Sequence, residues 1–407
     1  MKIWYNKGTQ TALDMFNMYS LDDQLIVALK KRDFNEADNL LAQGADINAK
    51  NMRDETIIFM FLTTQTQEML NWLVKNGADL NVSDREGNTP FFKAVLNNEA
   101  EAVRILIEAG ADINKKNNRQ IAPLMQAVLN ENGEKVFDLL MAAGPDLDCE
   151  SETGTTPVMA AAARKNVHYV DTLLGAGASS ENVDYMGISL LHAAVSSFSP
   201  QVVQTVLKHA PFLDPNYRAR SGSSPMSDTR GVPAILETLL DIGGDPNAKS
   251  GNRFTEGSTL LMGVLGFSAM PDIPLKKKKG QDNTVQMIMQ TGLGALSDDL
   301  LKKMIQKGAD VHARDDFGKN PAHYAIEGMS TGFLPTLVAH GLDPKRPVNP
   351  SSTLPYDLFT IPMVDLENSR CLELIDEWHA AGFPFERPEW DEAIDGPFTQ
   401  KMQENFT

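Results

Sequence analysis

A glycine recurs along this chain at a spacing that leaves few folds open to it. Each one follows a Leu-Leu-like pair: Gly44, Gly77, Gly110, Gly144 and Gly177, separated by 33, 33, 34 and 33 residues. Ala210 holds the next place, 33 beyond Gly177. Gly243 lies 33 beyond that, and Gly308 to Gly341 is again 33. Gly382 closes the series. A period held this often means that one supersecondary unit is copied, and a single copy cannot bury its apolar face alone. The 407 residues therefore read as an elongated stack rather than as two or three separate cores.

What surrounds the glycine also repeats. Gly44-Ala45-Asp46-Ile47-Asn48 is echoed at Gly77-Ala78-Asp79-Leu80-Asn81, at Gly110-Ala111-Asp112-Ile113-Asn114 and at Gly308-Ala309-Asp310-Val311. A second marker follows at Asp84-Arg85-Glu86-Gly87-Asn88-Thr89-Pro90 and returns as Gly154-Thr155-Thr156-Pro157, Gly222-Ser223-Ser224-Pro225 and Gly318-Lys319-Asn320-Pro321. With Leu190-Leu191-His192-Ala193-Ala194 and Pro321-Ala322-His323-Tyr324-Ala325, the chain resembles the ankyrin-repeat family. The resemblance runs from about residue 21 to 387 and predicts an all-α repeat solenoid. It implies about ten helix–turn–helix repeats carrying β-hairpin or finger loops.

Elementary helix chemistry agrees with that unit. Thr89 reads as an N-cap hydroxyl, and Pro90 sits at the first helical position, where its missing N–H costs nothing. Apolar residues then fall at helical spacing: Phe91, Ala94 and Val95, followed by Ala102, Val103, Leu106 and Ile107. Gly110 ends the second helix, because a left-handed residue there is cheapest without a Cβ. Alanines at 160–162 and at 193–194 let neighbouring helices approach closely.

Three stretches depart from the period. Residues 1–20 read as an N-terminal cap, with Trp4, Tyr5 and Phe16 covering the first unit; Trp378 serves the other end, before a tail at 388–407. Repeats one to eight begin within 21–264 and the remainder occupy 300–387. Between them, 265–299 is an insertion in the eighth unit or a degraded repeat. It includes four lysines at 276–279, which read as a solvated loop tip or as an address for an anionic or nuclear target. Near 360–367 the last unit carries eight extra residues.

Chemistry finds little purchase. The histidines form no metal-ligand pair, and His192 and His323 fall at the family's structural histidine position. Gly175-Ala176-Gly177 and Gly292-Leu293-Gly294 lack the rest of a phosphate loop. Cys149 and Cys371 cannot form a disulfide scaffold and suit a reducing compartment. The reading is thus of no enzyme, no cofactor and no metal, with a cytoplasmic location expected. Neither a secretory leader nor a membrane span is legible. Lys plus Arg number 37 against 54 Asp plus Glu, a net −17, which repels nucleic acid and attracts a basic protein.

The resemblance implies a cupped hand whose partners meet finger tips and inner helices. Carried onto this chain, the finger positions are Arg85, Glu86, Asn118, Arg119, Glu150, Glu152, Asp184, Tyr185, Met186, Ile188, Arg218, Arg220, Asp316 and Phe317. Inner-helix positions are Leu96, Asn97, Asn130, Arg164, Ser197 and Phe267. Tyr185, Met186 and Ile188 sit amid Glu150, Glu152, Glu181 and Asp184. Exposed, they would be anchors ringed by charge; the alternative is that they pack on the neighbouring finger. The expected function is a monomeric protein-binding module of the inhibitor or immunity type. A host-directed effector or scaffold is the alternative, and an enzyme with its site in the insertion is a distant third.

Overall fold

The computed structural model describes residues 20–51, 55–229, 232–249, 257–267, 296–316, 318–327 and 331–342. The expected caps at Trp4, Tyr5, Phe16 and Trp378, the lysines at 276–279, Phe317, the extra residues near 360–367 and the tail lie outside them. The chain falls into two compact units, Met1–Tyr185 and Met186–Thr407.

In the first unit, helices pair in sequence order: α1 (Leu21–Lys30) with α2 (Phe34–Ala42), α4 (Pro90–Leu96) with α5 (Ala100–Glu108), α6 (Pro123–Leu129) with α7 (Glu134–Ala142), and α8 (Pro157–Ala163) with α9 (Val167–Gly175). Within this unit the second copy lacks a regular inner helix. There Ile57–Phe61 winds as a 3-10 turn before α3 (Gln67–Lys75). Its entry residue Thr56 makes no side-chain cap, and no proline stands at the first helical position.

Local sequence explains the regular pairs. Thr89 Oγ1 accepts from Phe92 N at 3.0 Å, and Pro90 opens α4. Phe91, Phe92, Ala94 and Val95 of α4 are buried against Ala102, Val103, Ile105 and Leu106 of α5. Ile107, expected in this core, is half-buried, and Ile105 takes the inward place. Burying side chains of this size contributes about 1.5–3 kcal/mol each. Thr156 breaks the capping pattern: it precedes Pro157 in the same motif, yet its buried hydroxyl makes no cap bond.

Between copies, the stack is stitched by side chains of the closing turn. Asp79 Oδ1 accepts from Asn81 N at 2.8 Å, and Asn81 Oδ1 accepts from Asp112 N of the next copy at 3.1 Å. The relay continues through Asp112 to Asn114 and from Asn114 to Asp146 N at 2.9 Å. Asp46 and Asn48 begin it, and Asp148 hands it to Ser179 N at 2.9 Å. The repeated Gly-Ala-Asp-x-Asn thus pairs backbone groups that a turn would otherwise leave open.

The second unit pairs α10 (Leu190–Ser196) with α11 (Pro200–His209), followed by a 3-10 turn at Ser227–Thr229 and α12 (Pro233–Asp241). Beyond them lie α13 (Leu260–Phe267), α14 (Asp298–Gln306), α15 (Pro321–Glu327) and α16 (Leu334–Ala339). Asn247 donates to Gly308 O at 2.8 Å and accepts from Asp310 N at 2.7 Å. Closing turns 33 residues apart elsewhere are therefore direct neighbours here across a gap of 65. Lys303 ties α14 to α12 through Glu237 and Asp241, at 3.0 and 2.9 Å. Helix α13 packs on α15.

No strand is formed among the described residues; the loops expected as β-hairpins are tight turns, with isolated bridges only at Lys50–Thr56 and Lys249–Thr259. No described helix is long and apolar enough to cross a membrane.

Candidate protein-binding fingers

The third, fourth and fifth fingers are short turns, each nailed by its first side chain. Asp84 Oδ1 accepts from Glu86 N at 3.0 Å and from Asn88 N at 2.8 Å, while Gly87 N returns to Asp84 O. Asn117 Oδ1 does the same for Arg119 N and Ile121 N, both at 3.0 Å. Ser151 Oγ serves Thr153 N and Thr155 N at 3.3 and 3.2 Å. A compact acceptor in this place mimics a backbone turn, so Asp, Asn and Ser are interchangeable there.

Neighbouring fingers of the first unit are then locked in register. Asn118 N donates to Glu86 O at 3.0 Å, and its side-chain amide donates to Arg85 O at 3.1 Å. Lys116 Nζ reaches Glu150 O at 2.8 Å, and Tyr185 N donates to Thr153 O at 3.0 Å. The Tyr185 ring lies over Gly154, where a Cβ would stand 2.7 Å from Tyr185 Cδ1; its hydroxyl is 3.5 Å from Glu150 Oε2. Tyr185 thus packs on the neighbouring finger and still leaves 55% of its surface exposed.

Arg85, Glu86, Asn118, Arg119, Glu150 and Glu152 are all exposed, and Asp184 is half-buried. The acidic balance of the chain is not gathered on these tips. Asp46, Asp79, Asp112 and Asp146 are also exposed, but each sits on a closing turn with one carboxylate oxygen bound to backbone.

On the inner helices of this unit, Leu96 and Leu129 end α4 and α6 and remain 38% and 36% exposed. Asn97 and Arg164 are exposed as well. Asn130 is differently placed, because its amide donates to Val95 O and Asn98 Oδ1, and its oxygen accepts from Gln126. That side chain clamps two copies together. Sequence alone gave no sign of it, since its partners lie 32 and 35 residues away.

In the second unit, Met186 is 59% exposed and Ile188 half-buried. Arg220 N donates to Met186 O at 2.9 Å, Arg218 Nη1 donates to Gly222 O at 3.0 Å, and Asp316 is exposed. Ser197 is buried, its hydroxyl on Ala194 O at 2.6 Å. Phe267 ends α13, with its side chain outside the described residues. Three apolar residues that sequence reading passed over are also exposed here: Phe212 (62%), Tyr217 and Ile242. Phe212 holds the place two beyond Ala210 where the period expects the Asp of the motif. That role passes to Asp214, whose Oδ1 accepts from Asn216 N at 2.8 Å, and this two-residue shift is the one signal that could have found it.

His192, His323 and Cys149 are buried titratable groups. His192 shares a hydrogen bond with Ser189 Oγ at 2.8 Å and faces Ser223 O at 3.4 Å. Burial, helped by Lys319 and Arg314, pushes His323 down to about 4. Burial and then the Asp146 charge push the Cys149 thiol up to about 11, which keeps it protonated. Among the described residues no group of three or more His, Cys, Asp or Glu is placed to hold a metal ion.

The family model for ankyrin repeats in three copies matches residues 25–117 and again 124–219, a little under half of the chain. Over these residues the chain is built of ankyrin repeats. Such repeats form a protein–protein interaction module, and the fingers described above are the ankyrin fingers. Two solved structures are similar to it. One is the ankyrin repeat domain of Bcl-3, described as a unique member of the IkappaB protein family, with 22% identity, a TM-score of 0.48, and 53% of this chain against 96% of that one. The other is an ankyrin repeat domain from Acinetobacter baumannii AYE, with 28% identity, a TM-score of 0.43, and coverage of 46% and 97%. Comparison with curated proteins gives no match.

Proposed function

We propose that this ankyrin-repeat protein is a non-catalytic, monomeric module that captures and neutralises a basic protein partner in the cytoplasm, as an inhibitor or immunity protein does. The observation that carries the reading is the locked finger row of the first unit, which presents Glu150, Glu152 and Tyr185 outward. An edge fixed before binding loses little conformational entropy on association. Tyr185 is an amphipathic side chain seated on glycine, the type of residue that dominates interface energy. A net charge of −17 hastens capture of a basic partner. Leu96, Leu129, Asn97 and Arg164 are further candidate contacts within the first unit; Met186, Ile188, Arg218, Arg220 and Asp316 are candidates of the second unit taken by itself.

The test is affinity capture from a lysate of the source cell, with wild type beside a Glu150→Lys/Glu152→Lys/Tyr185→Ala variant shown to be folded. One stoichiometric basic partner, lost in the variant and toxic when expressed alone, supports the inhibitor role. Equal capture by both chains refutes the finger reading. A partner found only in a foreign host's lysate replaces inhibitor with effector.

A further inference from the structure

The finger row of the first unit is electrically two-sided. Arg85 stands exposed on the third finger beside Glu86, Arg119 on the fourth, and Glu150 and Glu152 on the fifth. The lysines beneath them are engaged with backbone: Lys115 Nζ with Asn81 O and Lys116 Nζ with Glu150 O, both at 2.8 Å. Arg119, by contrast, is held through its backbone N–H, which donates to Asn117 Oδ1 at 3.0 Å, and its side chain is exposed, as is that of Glu152. The register bonds between fingers hold these opposite charges at fixed stations, so the row cannot rearrange into one sign.

We propose, building on the reading that the fingers are the binding edge, that this row takes an extended, bipolar segment of its protein partner. Acidic residues of the segment lie over Arg85 and Arg119, basic residues over Glu150 and Glu152, and an aromatic or aliphatic side chain rests on the open face of Tyr185. A uniformly basic segment meets repulsion at the two arginines, which makes the row selective as well as attractive. Packed helices lie about 8–10 Å apart, so three finger spacings cover roughly 24–30 Å. At about 3.3 Å per extended residue the bound segment is about eight residues long.

The experiment uses the full chain and three labelled eight-residue peptides, read by fluorescence anisotropy at low salt. One has three acidic residues, then three basic residues, then Phe-Leu. The second alternates the same charges, and the third replaces the acids with bases. Wild type is expected to bind the first roughly tenfold more tightly than the second, as a few surface ion pairs acting together allow. Arg85→Glu/Arg119→Glu is expected to switch its preference to the uniformly basic peptide. Equal binding of the three peptides, or a wild-type preference for the basic one, overturns the proposal. Should that happen while Glu150→Lys/Glu152→Lys/Tyr185→Ala still abolishes capture of the protein partner, bipolar recognition fails alone. If that variant captures the partner normally, the finger reading beneath it fails too.

Discussion

Replacing Phe137 with alanine probes the stacking of copies within the first unit. Phe137 of α7 is fully buried and lies face to face with Tyr169 of α9, ring centroids 3.9 Å apart at 20°. The pair joins the outer helices of two consecutive copies. Removing a buried phenyl ring costs about 3–5 kcal/mol in lost transfer energy and cavity, and the ring pair adds about 0.5–1.5 kcal/mol. Phe137→Ala should therefore lose about 4–5 kcal/mol, whereas Phe137→Leu, which keeps most of the volume, should lose about 1–2 kcal/mol. Because an array is stabilised between neighbours, the larger loss should also uncouple copies on the two sides of the gap. Urea unfolding followed by far-UV circular dichroism should then show a broadened or two-step transition with a reduced slope. A single transition of unchanged slope, shifted by less than about 1.5 kcal/mol, would refute this account of the interface.

Three further expectations follow from particular residues. Gly87 and Gly110 both hold positive φ, +78° and +79°, but only Gly87 faces a neighbour, Asn118 N, 2.7 Å from a built Cβ. Gly110→Ala should cost about 1 kcal/mol and Gly87→Ala clearly more; equal thermal-melt losses would contradict the finger register. In a Cys371→Ser chain at pH 8, Cys149 should resist a thiol reagent until denaturant is added, and reaction at the rate of a free peptide thiol would contradict its burial. His323 is held from its ordinary 6.5 down to about 4, so the unfolded chain binds its proton first. Stability it contributes is present above pH 6.5 and lost as pH falls towards 4, on the order of 3 kcal/mol in all. His323→Gln should remove that slope, and parallel pH profiles for the two chains would disprove it.

The repeat, its caps and its closing turns were legible because their causes are local. Thr89-Pro90 states where a helix begins, and the glycine of Gly-Ala-Asp-x-Asn states where one ends. The 3-10 turn at Ile57–Phe61 was not legible from the period, since the second copy keeps its spacing while losing its capping residues. Asn130 and Tyr185 mark the other limit. Both occupy positions that the repeat pattern offers to a partner, and both take part of their surroundings from the adjacent copy. Asn130 is consumed by Val95 O and Asn98, whereas Tyr185 leans on Gly154 and keeps an open face. Whether a finger residue is consumed or offered depends on a neighbour about 33 residues away, and hydrophobic periodicity within one copy carries no record of it.

The binding role is tested most directly by the association rate of the captured partner, measured against salt for wild type and for Glu150→Lys/Glu152→Lys. If the fifth finger draws in a basic surface, the double reversal slows association, and its rate changes less steeply with salt than the wild-type rate does. Identical rates and identical salt slopes for the two chains would contradict the claim that this ankyrin-repeat protein captures its partner on these fingers.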